Sequence, residues 1–558
     1  MRASRVIMAA ASAAVFALVL SACGSGAGDG GDAASTGSDD AATAGSDGAA
    51  TGGTEVSIRG CTPENPLIVT NTNEVCGGNV LDAVTSRLVH YNSDTAAPEL
   101  DLAESIESTD QINFTVKLKQ GYLFHDGTEV KAKNFVDAWN WAAYGPNGQL
   151  NSYFFEPIEG YADLQCADEE CAAAPAAEAM SGLAVVDDYT FTIKTVSPTS
   201  NLTVRLGYNA FAPQPDAFFA DTDPKKANFA QLPIGSGPYK IVENDDQAMV
   251  LEKFADYSGQ YPGSVDKVTF RIYDSTEAAY TDVVANNLDA TDQIPGPQLI
   301  GDLWKDDLPD RWGTKDTGVI QVITFSPIDE QLESIEMRQA LSMAVDRALI
   351  TKQIFNDART PATGWVSPVV DGYKAGACTA CVFDPDKAKE LYDKAGGYTG
   401  TLTISVNGDG GHQEWAEAWC NQLITNLGLD CAVNATPDFA TLRKGINARE
   451  LKGLYRGGWQ MDYPSIENFL TPIYATGASS NDGDYSNPKF DDLLKQAAAA
   501  SSNDEANALY QQAEAILGQD MPSMPQWYQQ SQFGYSTKIK SLKMTPFSTF
   551  DLGSIELN

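Results

Sequence analysis

Thr401-Leu-Thr-Ile-Ser-Val406, Gln413-Glu-Trp-Ala-Glu-Ala-Trp-Cys-Asn-Gln-Leu-Ile-Thr-Asn-Leu427 and Asp430-Cys-Ala-Val-Asn-Ala435 follow one another in the second half of the 558-residue chain. The first and third read as strands and the middle as a helix, a β-α-β succession that favours a parallel or mixed sheet. Working outward, strands are expected at 66–70, 114–118, 188–193, 249–253, 268–273 and 319–325. Helices are expected at 79–89, with Val80, Leu81, Val84 and Leu88 on one face, at 133–144, with Phe135, Val136 and Trp139 inward, and at 277–287. Further helices are expected at 335–355, 487–496 and 504–520, and His125-Asp-Gly-Thr128 reads as a turn. There is no internal repeat and no second long hydrophobic run. The expectation is a multi-domain α/β protein.

The N-terminus has a separate logic. Arg2 and Arg5 precede an apolar run at 6–20 and then Leu20-Ser-Ala-Cys23. A basic start, a run too short to span a bilayer and small residues before a cut make a secretory signal over 1–22. The Leu-Ser-Ala-Cys ending resembles the bacterial lipobox, which implies cleavage before Cys23 and acylation of its sulfur, a palmitate-type anchor carried on a diacylglycerol. More than one acyl chain is needed for stable anchoring. Residues 24–53 are almost entirely Gly, Ala, Ser, Thr and Asp, and such a segment buries too little apolar surface to offset its ordering entropy. A disordered tether over 23–54 is expected, with about 500 residues left for two or three domains.

Charge and cysteine content agree with export. Loss of Arg2 and Arg5 leaves 35 basic residues against 75 acidic ones, a net of about −40. That sign repels nucleic acid and anionic lipid and keeps the chain soluble. Besides Cys23 there are eight cysteines in four sequence-neighbour pairs: Cys61/Cys76, Cys166/Cys171, Cys378/Cys381 and Cys420/Cys431. In an oxidising compartment the simplest reading is four local disulfides, although sequence leaves other connectivities open. Cys378-Thr-Ala-Cys381 also has redox or zinc spacing, but it precedes the helix that Asp384-Pro385 starts rather than opening one after a strand.

Enzyme signatures are missing from the sequence. His90, His125 and His412 stand at unrelated spacings. No His-Glu-x-x-His, Gly-x-Ser-x-Gly or phosphate-binding Gly-rich loop with Lys-Ser/Thr occurs. Abundant carboxylates leave a glycosidase pair formally open, and a solvated acidic face accounts for them better. No cofactor, metal or nucleic acid is expected.

Four segments carry a family resemblance. Phe124-His-Asp-Gly-Thr-Glu-Val-Lys-Ala-Lys-Asn-Phe-Val-Asp-Ala-Trp139 is similar to the "F-x-D-G-x-P-x-T-A-x-D-V" stretch of the dipeptide- and oligopeptide-binding lipoproteins. Leu232-Pro-Ile-Gly-Ser-Gly-Pro-Tyr239 resembles their "P-x-G-T-G-P-Y" turn. Arg338-Gln-Ala-Leu-Ser-Met-Ala-Val-Asp-Arg347 resembles their "R-x-A-L-x-x-A-I-D-R" helix. Gly458-Trp-Gln-Met-Asp-Tyr463, continued by Asn468-Phe-Leu470, resembles "G-W-x-x-D-Y-x-x-P-x-x-F-L". The four stand in the family's order. On them the chain is identified as a member of the bacterial extracellular solute-binding proteins of family 5. One departure is that Pro464 follows Asp-Tyr at once and Ile466-Glu467 occupy the usual proline position.

The resemblance implies a two-lobed periplasmic-binding-protein (Venus-flytrap, class II) α/β fold with an additional inserted N-terminal domain. It places lobe one at 55–92, 206–320 and 530–558, the insert at 93–205 and lobe two at 321–529, with a hinge where the chain crosses near 320 and 530. It implies a monomeric, membrane-anchored receptor that hands short peptides to the permease subunits of an ABC transporter. Asp462 matches the carboxylate that pairs with the ligand α-amino group. Gly458, Trp459 and Gln460 match the stretch that adds an extended peptide as a strand, with Trp459 as an aromatic wall. Asn73 and Glu74, after the first expected strand, are placed on the opposite side of the cleft. The lipobox, tether and acidic bias suit a Gram-positive exterior. Three alternatives stay open: the same fold and transport role with oligosaccharides, met by Trp415, Trp419 and Trp459, or another small solute as ligand; an adhesion or signalling lipoprotein; and an extracellular hydrolase.

Overall fold

The β-α-β unit folds as expected and forms one end of a long mixed sheet. In a computed structural model that describes residues 54–558 apart from 169–170, 224, 274, 409–410, 438 and 479, strands Thr401–Asn407 and Asp430–Thr436 pair in parallel around helix Gln413–Leu427. The signal segment, Cys23 and the tether up to residue 53 lie outside the described residues. Leu454–Gln460 joins Thr401–Asn407 in parallel, and Trp312–Phe325 pairs with it antiparallel. Ser523–Tyr535 follows, and then come Ala290–Thr291, Glu55–Gly60, Lys267–Ile272, Ala248–Lys253 and Tyr239–Asn244. With Arg359–Pro361 pairing on Ser523–Tyr535, the sheet has 11 strands. Trp312–Phe325 and Ser523–Tyr535 are its long members, and their register shifts between the Asp316 and Ile320 pairs.

Two lobes grow from the two ends of this sheet. One core collects Val322, Ile404, Trp415, Trp419, Phe469 and Leu517; a second collects Val56, Val80, Leu81, Tyr239, Phe270 and Ile555. A third, built on Trp139 with Phe135, Phe155, Phe191 and Phe211, packs against a separate four-stranded antiparallel sheet formed by Ala103–Ser108, Asn113–Leu118, Thr190–Lys194 and Leu183–Asp187. Among the described residues no helix is long and apolar enough to cross a membrane, and no cluster of three or more His, Cys, Asp or Glu is arranged to hold a metal.

The four disulfides are the local ones, with Cα–Cα separations of 5.3 Å for Cys61–Cys76, 5.0 Å for Cys166–Cys171, 5.4 Å for Cys378–Cys381 and 5.2 Å for Cys420–Cys431. The Cys378–Cys381 bridge precedes helix Pro385–Lys394, which Asp384 caps by accepting from the Lys387 amide.

Three expected elements are corrected. Residues 66–70 are not a strand. The chain turns there, with Ile68 N–H donating to Pro66 O and Asn71 N–H to Ile68 O, and Leu67, Ile68 and Val69 are buried by packing rather than by pairing. The first strand is Glu55–Gly60. The following helix is Val75–Val84 rather than 79–89: Glu74 caps it by accepting from the Gly77 amide, and Leu88 and Val89 already lie beyond it. The 335–355 helix is two helices, Ile335–Met343 and Arg347–Phe355, because Asp346 caps the second by accepting from Leu349 N–H.

Two of the family-like segments interlock. Gly235 N–H donates to His125 Nδ1 at 3.2 Å, and His125 Nε2 lies 3.1 Å from Gly237 O, which is the arrangement of a neutral imidazole protonated on Nε2. Burial pushes the His125 imidazole down to about 4, so it stays neutral. A Cβ on Gly235 would lie 1.8 Å from Val84 O, and one on Gly237 2.6 Å from Thr85 N. Glycine is required by this backbone approach.

Candidate functional site

Asp462 follows strand Leu454–Gln460 in the second lobe, just before helix Ile466–Tyr474. Its carboxylate is set by Asn468, three residues past the Ser465 cap of that helix. Asn468 Nδ2 donates to Asp462 Oδ2 at 2.9 Å, and Asn468 Oδ1 accepts from Asp462 N–H at 2.9 Å and from Trp459 Nε1–H at 3.0 Å. Asp462 Oδ1 receives no hydrogen bond from the described residues, and Asp462 is absent from every ion pair among them. A recessed carboxylate without a counter-ion is costly. Burial accordingly raises its pKa to about 6; the Asn468 bond and Arg205 pull it back, and the negative charge of Glu467 adds to the rise.

The uncompensated carboxylate lies between two cavities. One, of about 270 Å³, brings Gln460 and Asp462 together with Asn73, Glu74, Asp82, Arg87, His90, Tyr91 and Tyr208 of the opposite wall and with the Thr545–Thr549 turn. The other, of about 820 Å³, runs from Asp462 between Tyr153, Phe154 and Pro198 on one side and Thr471, Leu494 and Tyr510 on the other. At its base the Arg205 guanidinium pairs with Glu467 at 3.0 Å. Asn201 Nδ2 and the Tyr463 hydroxyl donate to Glu467 Oε2 at 2.8 and 2.6 Å. This buried network joins the segment before Leu206 to the second lobe.

The residues expected at the site divide into two groups. Asp462, Gln460, Asn73 and Glu74 share the 270 Å³ cavity. Glu74 is there as a helix cap, and Asn73 Oδ1 accepts from Asn65 Nδ2 at 3.2 Å. Gly458 and Trp459 line a different space, of about 280 Å³, with Trp365, Tyr474 and the Arg443–Asp482 pair. Trp459 is half-buried against the second-lobe core and spends its N–H on Asn468, so it does not stand as a wall beside Asp462. Strand pairing of Leu454–Gln460 with Thr401–Asn407 covers only Leu454 and Tyr455, so among the described residues the 457–460 stretch is strand-paired on the 319–322 side alone. Trp415 and Trp419 are buried in the core.

Sequence reading missed Asn468, which it quoted only as part of a motif, and the entire first-lobe wall of Asp82, Arg87, His90, Tyr91 and Tyr208. No periodicity marks those residues, because they come from a helix, its exit and a distant loop.

Comparison with known proteins agrees with this geometry. The family model described as bacterial extracellular solute-binding proteins, family 5, middle region, matches residues 97–481, and the chain belongs to that family. Its members are transport binding proteins and not enzymes. The oligopeptide-binding protein OppA of Bacillus subtilis is 23% identical over 553 residues, 95% of each chain. Heme-binding protein A of Haemophilus influenzae is 25% identical over 483 residues, 83% of this chain and 85% of that one. The structure of the murein tripeptide binding protein MppA of Escherichia coli superposes with a TM-score of 0.75 at 21% identity, covering 91% of this chain and 99% of that one. The fold is thus the two-lobed one of family 5 binding proteins.

Proposed function

We propose that this solute-binding protein is anchored through Cys23 at the outer face of the cell membrane, captures short peptides and delivers them to the permease of an ABC importer. The observation that carries the ligand class is Asp462: a carboxylate with one unbonded oxygen and no counter-ion, on an interlobe cavity. A peptide α-amino group supplies the missing cation in a charge-assisted bond. The one-sided pairing of the 457–460 stretch leaves backbone for an extended ligand, which would hold a peptide without reading its side chains. The oligopeptide- and tripeptide-binding relatives agree in ligand class. The heme-binding relative binds a different ligand, so family membership does not choose between them; Asp462 supports the peptide reading. In this reading lobe one holds 55–92, 206–320 and 530–558, the insert 93–205 and lobe two 321–529, and closure brings Asn73 and Glu74 toward Gln460.

Native mass spectrometry of the protein purified without denaturant tests the ligand class. Added masses that fragment as short peptides are expected, whereas a hexose-spaced ladder would refute the peptide reading and keep the transport role. Membrane fractionation of Cys23→Ser tests the anchor: the variant should leave the membrane fraction, and retention there would overturn lipidation.

A further inference from the structure

Glu467 stands where the family-like segment departs from its pattern, with Ile466-Glu467 in place of the proline. It is 3% exposed and is the second residue of helix Ile466–Tyr474, whose N-terminal end favours a negative charge. Of its side-chain partners Tyr463 belongs to the same lobe, whereas Arg205 and Asn201 reach it from the opposite wall at the base of the 820 Å³ cavity. Arg205 is held in place for this pairing. Its Nε donates to Asn201 Oδ1 at 3.0 Å, and its guanidinium lies 5.3 Å from the centre of the Tyr463 ring. Beside it, Ser200 reaches helix Pro488–Ala498, its N–H donating to Ala498 O at 3.0 Å and its Oγ to Ala497 O at 3.2 Å. Among the described residues, the hydrogen bonds and ion pairs that join 93–205 to 321–529 run through Ser200, Asn201 and Arg205. The Tyr463 ring, next to Asp462, is buried in the core built on Trp139.

The same 93–205 stretch is tied to the first lobe by drier contacts. Asn151 is fully buried; its N–H donates to Thr70 O at 3.0 Å and its Nδ2 to Thr72 O at 2.9 Å. Trp139 Nε1–H donates to Phe211 O at 3.2 Å and Asn134 Nδ2 to Gln214 O at 3.0 Å, both buried. When the lobes part, the seam through Glu467 is therefore the one that opens. Its two charges border the 820 Å³ cavity, so water can solvate them once they separate, and the pair can part without stranding a buried charge.

We infer that Glu467 is a closing latch: through Arg205 and Asn201 it fastens the Asp462 segment to the facing wall and biases the receptor toward its closed form. The latch forms whether or not a ligand is present, because none of its bonds involves one. It raises affinity by populating the binding-competent form in advance. Glu467 is thus a positioning residue for Asp462, five residues away, and Tyr463 is the link between them.

Small-angle scattering of the ligand-free full chain and calorimetric titration with trialanine test the latch. Glu467→Gln and Arg205→Gln should each increase the radius of gyration of the empty protein and weaken trialanine at least about tenfold. The double variant should be no worse than either single one, because both remove the same contact. Arg205→Lys keeps the charge and should retain most of the affinity. The shared direction separates the latch from simple electrostatics at Asp462: losing a negative charge would weaken an ammonium ligand, but losing the positive charge of Arg205 would strengthen it. Ser200→Ala removes one uncharged bond across the seam and should weaken binding by a few-fold, which decides the matter if the charged positions do not tolerate change. A lower unfolding midpoint with unchanged scattering and affinity, tighter binding by Arg205→Gln, or additive losses in the double variant overturns the latch. If trialanine binds no form of the protein, the peptide reading falls, and the scattering comparison alone upholds or overturns the latch.

Discussion

Replacing Asp462 by asparagine should make the empty protein more stable and the receptor worse. The pKa of this carboxyl rises from 3.8 in the unfolded reference to about 6 in the folded chain, chiefly through burial. At about 1.4 kcal/mol per unit, ionising it in the fold costs about 3 kcal/mol, an upper figure for what the asparagine recovers. The asparagine side-chain oxygen still accepts from Asn468 Nδ2, so the local geometry is retained. The sign follows from linkage. A carboxyl with a raised folded pKa imposes no penalty below pH about 4; the penalty grows as pH rises to about 6 and is complete above it. Urea unfolding of both proteins from pH 4 to 8 should therefore give equal stability at the acid end and a gain of about 1–3 kcal/mol for the variant at pH 7.5. His125, whose lowered pKa makes stability fall as pH drops below its unfolded value, contributes equally to both proteins and cancels in the difference. Affinity for an amine-bearing ligand should fall by about 2–5 kcal/mol, at least about 30-fold. A variant no more stable than the parent at pH 7.5, or a difference that is the same at pH 4.5 and 7.5, would refute the account of Asp462 as an uncompensated buried charge.

Asn468→Ala strands the Trp459 and Asp462 N–H groups and removes the bond that restrains the Asp462 pKa. It should cost about 1–3 kcal/mol of stability and move the acid limit of ligand binding to higher pH. A titration in which that limit does not move would separate Asn468 from Asp462. Gly235→Ala puts a Cβ on Val84 O, a backbone atom that cannot give way, so thermal denaturation should show a loss of several degrees or no folded protein. The bridge Cys61–Cys76 closes a 15-residue separation between the end of the first strand and the start of the first helix. On loop entropy the double serine variant should lose about 3 kcal/mol, read from denaturant midpoints under non-reducing conditions.

Elements with strong local signals were legible in the sequence. Helix Gln413–Leu427 was read to the residue, and the flanking strands to within one. The alternation at 114–118 and 249–253 marked true strands, each one residue longer than read. Cysteine spacing gave the disulfides. The errors arose where one signal served two structures. The apolar run at 66–70 is equally a strand or a buried turn, and only the packing above it decides. The 335–355 stretch stays apolar and helical in period across the Asp346 cap, so the break does not show in composition.

The site divides along the same line. Asp462 stood out because its motif is contiguous: Trp459, Asp462 and Asn468 lie within ten residues and their bonds are local. Sequence by itself determined the mixed α/β architecture, the family and the Trp459–Asp462–Asn468 cluster, since each is written in neighbouring residues. Only the tertiary structure decided that Gly458 and Trp459 face another space and that Glu74 caps a helix. It also decided that Arg87, 375 positions before Asp462 in the chain, shares a cavity with it. Such a meeting depends on how two lobes close over each other, and no periodicity or cap encodes the distance between residues on opposite walls.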